Sequence, residues 1–427
     1  MLIEFTVENY RSLRDEQRLS LVATTAAEHE ETHVVEVPDG ERVLRAAAVF
    51  GPNGSGKSNL LRALGTMRHL VTASARGMRG DVIPQADPFA LDGAWAERPT
   101  TFEVVFVASG VRYQYGYTVS RDRVEGEWLY AFPKGRAQTW FVRECDGEAE
   151  SFHFGENLPG QKALYRDATR PNALFLSTAV QLNSEALAPV FDWFRRTLTF
   201  VDPYMPLLFR GSRGHRATLR HCETEEGRAQ VVALMRAADV GIVDLTVEMD
   251  DDEPTAERPA GSLELAMWRR DRERSARIRF AHEGTGAGGR LIELADESRG
   301  TQRLFAMAGP LIDALAQGRV FVADELGSSL HPLILRAVVE LFVDPATNPA
   351  GAQLVFATHD TNLLDQGVLR RDQFWLTEKD ADGATTLYPV TDFKPRKGVE
   401  PLEKNYLQGR YGALPVPRFK RAVGGVG

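Results

Sequence analysis

Three short stretches of this chain carry residue types suited to handling phosphate. Gly51 to Ser58 reads GPNGSGKS, which matches the spacing G-x-x-x-x-G-K-[ST]. Glycines at this spacing let successive backbone N–H groups curl around a phosphate, with the following helix adding its N-terminal dipole. Lys57 then reaches the β- and γ-phosphates of a nucleotide, and the Ser58 hydroxyl is a ligand for Mg²⁺. The candidate nucleotide contacts are Gly51, Pro52, Asn53, Gly54, Ser55, Gly56, Lys57, Ser58 and Asn59. Far downstream, RVFVADE sets Asp324 and Glu325 at the end of an apolar run. Asp324 is the candidate second Mg²⁺ ligand, and Glu325 the group that orients and deprotonates the attacking water. One apolar run later, LVFATHD puts Thr358 and His359 in the corresponding place, where a histidine contacts a γ-phosphate or the attacking water. Acid pairs and single histidines are also ordinary surface features. Their order behind a glycine-rich phosphate loop gives them a catalytic reading, with Lys57, Glu325 and His359 as the catalytic candidates.

These residues need elements to hold them. VLRAAAVF (43–50) is a short apolar run of the kind buried on both faces of a sheet, and it runs straight into the glycine loop and a helical pattern. RVFVADE and AQLVFATH are two more such strands, separated by the helical pattern LHPLILRAVVELFV. Strand and helix in alternation predict a parallel α/β sheet, whose C-terminal edge would collect all three motifs. At the N-terminus, residues 2–8 alternate as a half-buried strand and 18–23 form a second strand across the turn NYRSLRDEQ. TFEVVFV, VRYQYGYTVS and VEGEWLYAF predict an antiparallel meander from 102 to 140. Helical periodicity follows to about 238. An acidic, Pro-containing loop (250–262) and a hairpin around EGTGAGG (283–289) come next. The hairpin leads into ELADESRGTQRLFAMAGPL, a Ser/Gly-containing turn that opens an apolar helix.

The bulk composition narrows the choices further. The chain has 427 residues, with 51 Lys+Arg against 59 Asp+Glu, so no global basic field draws nucleic acid to it, and any such contact would be a local patch. Cys145 and Cys222 form neither a CxxC motif nor a disulfide framework, which suits a reducing compartment. With no signal-peptide pattern and no apolar run of membrane-spanning length, the expected location is the cytoplasm, without membrane association.

The motifs GPNGSGKS, the Ser-Gly turn, ADE and ATHD, in that order, look like the ABC-type ATPase heads of the SMC, RecF and OLD families. FTVENYRSL beside FGPNGSGKSNLLRAL resembles the same heads. More closely, RPNALFLS, ESRGTQRLF, DELGSSLHP, ATHDTNLLD and GRYGALP resemble the prokaryotic AAA/ABC-type ATPases of the RloA, AbiEii-associated and PARIS AriA group. The resemblance implies an α/β P-loop NTPase of ABC-ATPase type with a mixed sheet, an antiparallel β subdomain and an inserted helical subdomain. The expected division is an N-terminal ATPase lobe over 1–150, a helical insertion over 151–245 and a C-terminal ATPase lobe over 246–427.

It also implies ATP and Mg²⁺ as cofactors and a homodimer or higher oligomer that sandwiches ATP between protomers, with Ser298 and Gly300 of one copy facing the γ-phosphate held by the other. Gln85 is a candidate to complete the Mg²⁺ site. His331 stands where transporters have an aspartate, and it either contacts the partner protomer or begins a helix with Pro332 in its first turn. An OLD-type protein would carry a TOPRIM nuclease after the ATPase. The basic, turn-rich segment after His359 is too short for one, so a separately encoded effector, a nuclease of RloB or TOPRIM type, is the expected partner. The reading is a slowly hydrolysing regulatory ATPase of anti-phage defence. The alternative is a RecF-like repair ATPase that binds DNA through RRDRERSARIRF (269–280) and KPRKG (394–398). A transporter subunit is disfavoured by the long insertion.

Overall fold

Five consecutive apolar residues, Ala46–Phe50, are buried on both faces and form an interior strand of a six-stranded sheet. The computed structural model describes residues 1–84, 86–147, 149–201, 213–238, 241–249, 276–282, 291–364, 367–395 and 401–415. The sheet order is Leu198–Val201, Val320–Ala323, Gln353–Ala357, Ala46–Phe50, Phe374–Lys379 and Thr385–Pro389, with every neighbouring pair parallel except the last. Alternation along the P-loop strand serves two cores. Ala46, Ala48 and Phe50 pack with Leu311, Leu335 and Phe342, while Ala47 and Val49 face Leu60, Leu64 and Met67 of the helix Lys57–Ala73.

Register decides where the chemistry collects. Ala323 pairs with Phe356, Ala357 with Val49, and Leu376 with Phe50, so the first three strands end at nearly the same level and Phe374–Lys379 runs past it. The residues that follow those three, Asp324, Thr358 and Gly51, therefore emerge along one edge, beside Thr377 of the longer strand.

The expected meander is present within a seven-stranded antiparallel sheet. Its order is Ala149–Phe154, Gln138–Asp146, Val124–Phe132, Val111–Val119, Thr100–Ala108, Leu2–Glu8 and Gln17–Ser20. The run 43–50 divides in two, because Arg42–Leu44 pairs with Val34–Glu36 and only Ala46–Phe50 enters the central sheet. Arg45 separates them and reaches the Asn348 carbonyl. Helices occupy much of 162–237, yet Leu198–Val201, inside the stretch read as helical, is a strand of the central sheet. Its four residues are too few to show a period of their own. The strands Ala276–His282 and Ile292–Glu293 pair antiparallel as the hairpin reading requires, while 250–262 and 283–289 lie outside the described residues. Among the described residues no helix is long and apolar enough to cross a membrane.

A polar clamp joins the N-terminal segment to residues 370–373. Thr24 donates through its N–H and its hydroxyl to Asp372, Arg370 donates to the Glu28 carbonyl and to Asp372, and Arg371 pairs with Glu28. His33 Nδ1 lies 2.8 Å from Gln373 Oε1, and burial pushes the His33 imidazole down to about 4, with the Gln373 bond opposing. Because the folded value lies below the ordinary histidine value, the unfolded chain takes up the proton first. His33 therefore costs stability as pH falls from about 6.5 to 4, by about 2 to 3 kcal/mol at pH 4.5. Urea unfolding of wild type and His33→Asn at pH 7 and pH 4.5 checks this: the variant is expected to lose less stability on acidification. Equal losses in the two proteins would remove His33 as the cause.

Candidate nucleotide-binding site

The phosphate loop is built as its spacing predicts. Gly51, Gly54 and Gly56 have positive φ, and the helix Lys57–Ala73 starts directly behind them. The Lys57 side chain is buried and folds over the loop, with Nζ 2.8 Å from the Gly51 carbonyl oxygen and 3.0 Å from that of Pro52. Burial lowers its ammonium to about 8, against the opposing pull of the Asp324 and Glu325 carboxylates. Ser55 is buried, Pro52 and Ser58 are half-buried, and Asn53 and Gly54 are exposed. Asn59 turns outward from the loop and donates to Ser12 Oγ at 2.8 Å.

At the acidic strand end, Asp324 is buried and Glu325 adopts a left-handed backbone conformation, φ 49°. A non-glycine residue in that region is held there by its surroundings. The holding group is Arg303, from the helix Arg299–Gln317, whose guanidinium donates to the carbonyls of Asp324 at 3.3 Å and Glu325 at 2.5 Å. The next N–H, of Leu326, bonds to the Ala357 carbonyl and so ties this turn to the neighbouring strand. Thr358 is buried there and its hydroxyl accepts from the Asp360 N–H. His359 stands exposed at the edge, and its imidazole is held below the ordinary value by partial burial and by Lys57, while Glu325 and Asp324 pull the other way. Lys57, Asp324, Glu325 and His359 thus sense one another's charge although they come from three distant parts of the chain.

Ser298 and Gly300 stand at the start of the helix Arg299–Gln317. Exposed Ser298 caps its helix by accepting from the Thr301 N–H at 3.1 Å, with Thr301 Oγ1 2.9 Å away. Gly300 packs under the loop after the acidic strand, where a Cβ would lie 2.6 Å from the Ser329 carbonyl oxygen. Arg299 is exposed, and Gln302 folds back onto the carbonyls of Ala295 and Glu297. His331 takes the helix-starting role: it caps Pro332–Val343, its Nδ1 accepting from the Leu333 N–H at 3.2 Å. Gln85 lies outside the described residues.

Reasoning from motifs missed four residues at this site: Arg303, Ser12, Thr377 and Thr385. Thr377 and Thr385 sit on the hairpin Phe374–Lys379 and Thr385–Pro389, which presses against the phosphate loop. Its signal was legible: FWLTEK and TTLYP flank the turn DADG, a strand–turn–strand pattern. Arg303 had no comparable signal, since an arginine in an amphipathic helix reads as a solvated residue.

A glycine-rich loop between a parallel strand and a helix, with an acid pair and a histidine on adjacent strand ends, defines a P-loop ATPase with a mixed sheet. Residues 46–365 match the family described as "AAA domain, putative AbiEii toxin, Type IV TA system", and the chain belongs to that family. Similar solved structures include the SMC head domain from Thermotoga maritima, at 12% identity and a TM-score of 0.41, covering 91% of this chain and 98% of that one. A second is the Smc head bound to the C-winged helix domain of ScpA, at 12% identity and a TM-score of 0.44, covering 91% and 96%. A third is the Smc head with an extended coiled coil bound to the C-terminal domain of ScpA derived from Pyrococcus furiosus, at 11% identity and a TM-score of 0.38, covering 92% and 97%. At these low scores the fold rests on the sheet order and on the family match. No curated protein matches the chain.

Proposed function

We propose that this chain binds ATP with Mg²⁺, dimerises around two ATP molecules, hydrolyses them slowly, and regulates a separately encoded effector, a nuclease, in prokaryotic anti-phage defence. The observation that carries the ATPase reading is the convergence of Lys57, Asp324, Glu325 and His359 on one sheet edge. The loop amides and Lys57 would hold the β- and γ-phosphates, and His359 would face the γ-phosphate. Glu325 would take a proton from water as its oxygen bonds to the γ-phosphorus and the bond to the bridging oxygen breaks, the electron pair leaving on ADP. The Ser58 hydroxyl and the Asp324 carboxylate are the hard oxygen donors that Mg²⁺ takes, and the ion would neutralise charge on the phosphates.

Dimerisation is supported by the placement of Ser298, which is exposed and engaged with Thr301 of its own helix, so it suits a nucleotide held by another copy. The effector and defence roles draw support from the resemblance to two-component phage-defence ATPases and from the toxin–antitoxin description of the family. The basic stretches that would favour a DNA-binding ATPase fall largely outside the described residues, and Arg279, within one of them, pairs with Glu248.

Mixing tests the sandwich. Lys57→Ala and Ser298→Asn, the latter keeping a capping acceptor, are each expected to be inactive alone. An equimolar mixture should recover roughly a quarter of wild-type turnover, since half the dimers are mixed and each of these has one intact composite site. A mixture no more active than its parents sinks the trans arrangement. Co-purification with the products of neighbouring genes, in wild type and in the Glu325→Gln variant, tests the regulatory half. Monomeric, partner-free protein in both with ATP present overturns it.

A further inference from the structure

The outer wall of the phosphate loop is a chain of buried side chains that the hydrolytic chemistry above does not use. Asn59 Nδ2 donates to Ser12 Oγ at 2.8 Å, Ser12 Oγ lies 2.8 Å from Thr385 Oγ1, and Thr385 Oγ1 lies 2.8 Å from the Ser55 carbonyl oxygen. Valence orients the protons. A carbonyl can only accept, so the Thr385 hydroxyl is the donor to Ser55; the same hydroxyl is the donor facing Ser12 Oγ, which accepts from the Asn59 amide as well. A second chain runs beside the first: Ser55 Oγ is 2.6 Å from Thr377 Oγ1, which donates to the Phe50 carbonyl at 3.2 Å. Ser12, Ser55, Thr377 and Thr385 are all buried, at 8%, 3%, 0% and 2% exposure, so water is poorly placed to substitute for a lost hydroxyl.

A trans peptide points its C=O and N–H in opposite directions. With the Ser55 carbonyl held outward on Thr385, the Gly56 N–H faces away from the hairpin, on the side where the loop opens. With the Phe50 carbonyl held on Thr377, the Gly51 N–H is fixed in the same manner. Gly56 lets the loop close down on this wall, since it has φ +112° and a Cβ there would lie 2.2 Å from Thr385 Oγ1.

We propose that Thr385 and Thr377, with Ser12 behind them, are positioning residues for the nucleotide phosphates: their hydroxyl chains fix the peptides whose N–H groups meet the anion. This assignment rests on the ATP reading. The wall unites the N-terminal turn and the C-terminal hairpin with a loop distant from both in sequence.

Thr385→Val, Thr385→Ser and Ser12→Ala in the full chain test it with two readouts. The first is the dissociation constant for MgATP in a Glu325→Gln background, which blocks turnover. The second is amide hydrogen exchange of peptides covering residues 51–60 without nucleotide. Thr385→Val is expected to weaken MgATP binding by about tenfold and to speed exchange in the loop, with Thr385→Ser restoring both. Ser12→Ala is expected to move both readouts in the same direction, which keeps the test decisive if the valine variant fails to fold. Binding within about twofold of the parent together with unchanged exchange overturns the proposal. So does a serine variant as weak as the valine one, since that makes shape rather than the hydroxyl responsible. If the parent itself fails to bind MgATP, the ATP reading falls and the phosphate assignment falls with it, while faster exchange in Thr385→Val alone upholds the loop-holding role.

Discussion

Replacing Glu325 with Gln is expected to lower ATP turnover by about a hundredfold or more while ATP binding and ATP-dependent assembly persist. Glutamine matches glutamate in shape and keeps its hydrogen-bonding reach, but its amide cannot take a proton from water. The backbone around it should remain in place, because what fixes Glu325 in its left-handed conformation is the Arg303 guanidinium on the carbonyls of residues 324 and 325. The change is therefore confined to one proton acceptor. Phosphate release under saturating ATP measures the rate, and size-exclusion chromatography with and without ATP measures assembly. Turnover within about tenfold of wild type would move the base elsewhere, with His359 the other candidate on the same edge. Loss of ATP binding would show instead that Glu325 holds the loop together.

Arg143→Met is expected to cost about 3 to 5 kcal/mol of stability, the range seen when one partner of a buried ion pair is removed. Glu127 has no exposure to solvent, and its carboxylate accepts from the N–H groups of Phe175 at 2.5 Å and Leu176 at 3.0 Å and from the Tyr115 hydroxyl at 2.9 Å. Burial raises its pKa, and Arg143 is the first of the groups that pull it back. Arg143 lies 3.8 Å from Glu127, bonds to Glu150, and donates to the carbonyls of Arg170, Pro171 and Ala173. These are the residues of RPNALFLS. The motif also reaches the end of the P-loop helix, through Ser177 to the Val71 carbonyl and Asn172 to the carbonyls of Met78 and Asp81. Methionine fills the volume but leaves Glu127 buried without its countercharge and takes the guanidinium donor from the Ala173 carbonyl, while the carbonyls of Arg170 and Pro171 keep the N–H groups of Ala173 and Val124. Urea unfolding checks the loss, and adding Glu127→Gln to Arg143→Met should recover part of it. A loss below about 1 kcal/mol would show that Glu127 is held neutral or is reached by water.

Much of the site was legible without the fold. GPNGSGKS announces a phosphate loop because the geometry that binds a phosphate is local: glycines adopt positive φ, and the N–H groups belong to consecutive residues. ADE and ATHD were legible because an apolar run followed by a polar pair marks where a buried strand leaves its sheet. His331 was left between two roles by the sequence, and the structure shows the helix-capping one, with Pro332 behind it.

Other features had no local trace. Leu198–Val201 carries too few residues to declare itself a strand, and only the neighbouring Val320–Ala323 makes it one. The same holds for Arg303, whose partners are backbone carbonyls that every residue possesses.

What the sequence by itself determined is thus the set of candidates: which side chains suit phosphate, which acids suit the chemistry beside it, and that they sit at strand ends. What only the tertiary structure decided is how those groups are held. Strand register placed the acid pair and the histidine beside Lys57, one arginine fixed the turn at Glu325, and hydroxyls from both ends of the chain closed around the phosphate loop. Short-range backbone geometry repeats with a period and can be read along the chain, whereas a hydrogen bond between Ser12 and Thr385 follows no period and exists only once the sheets have formed.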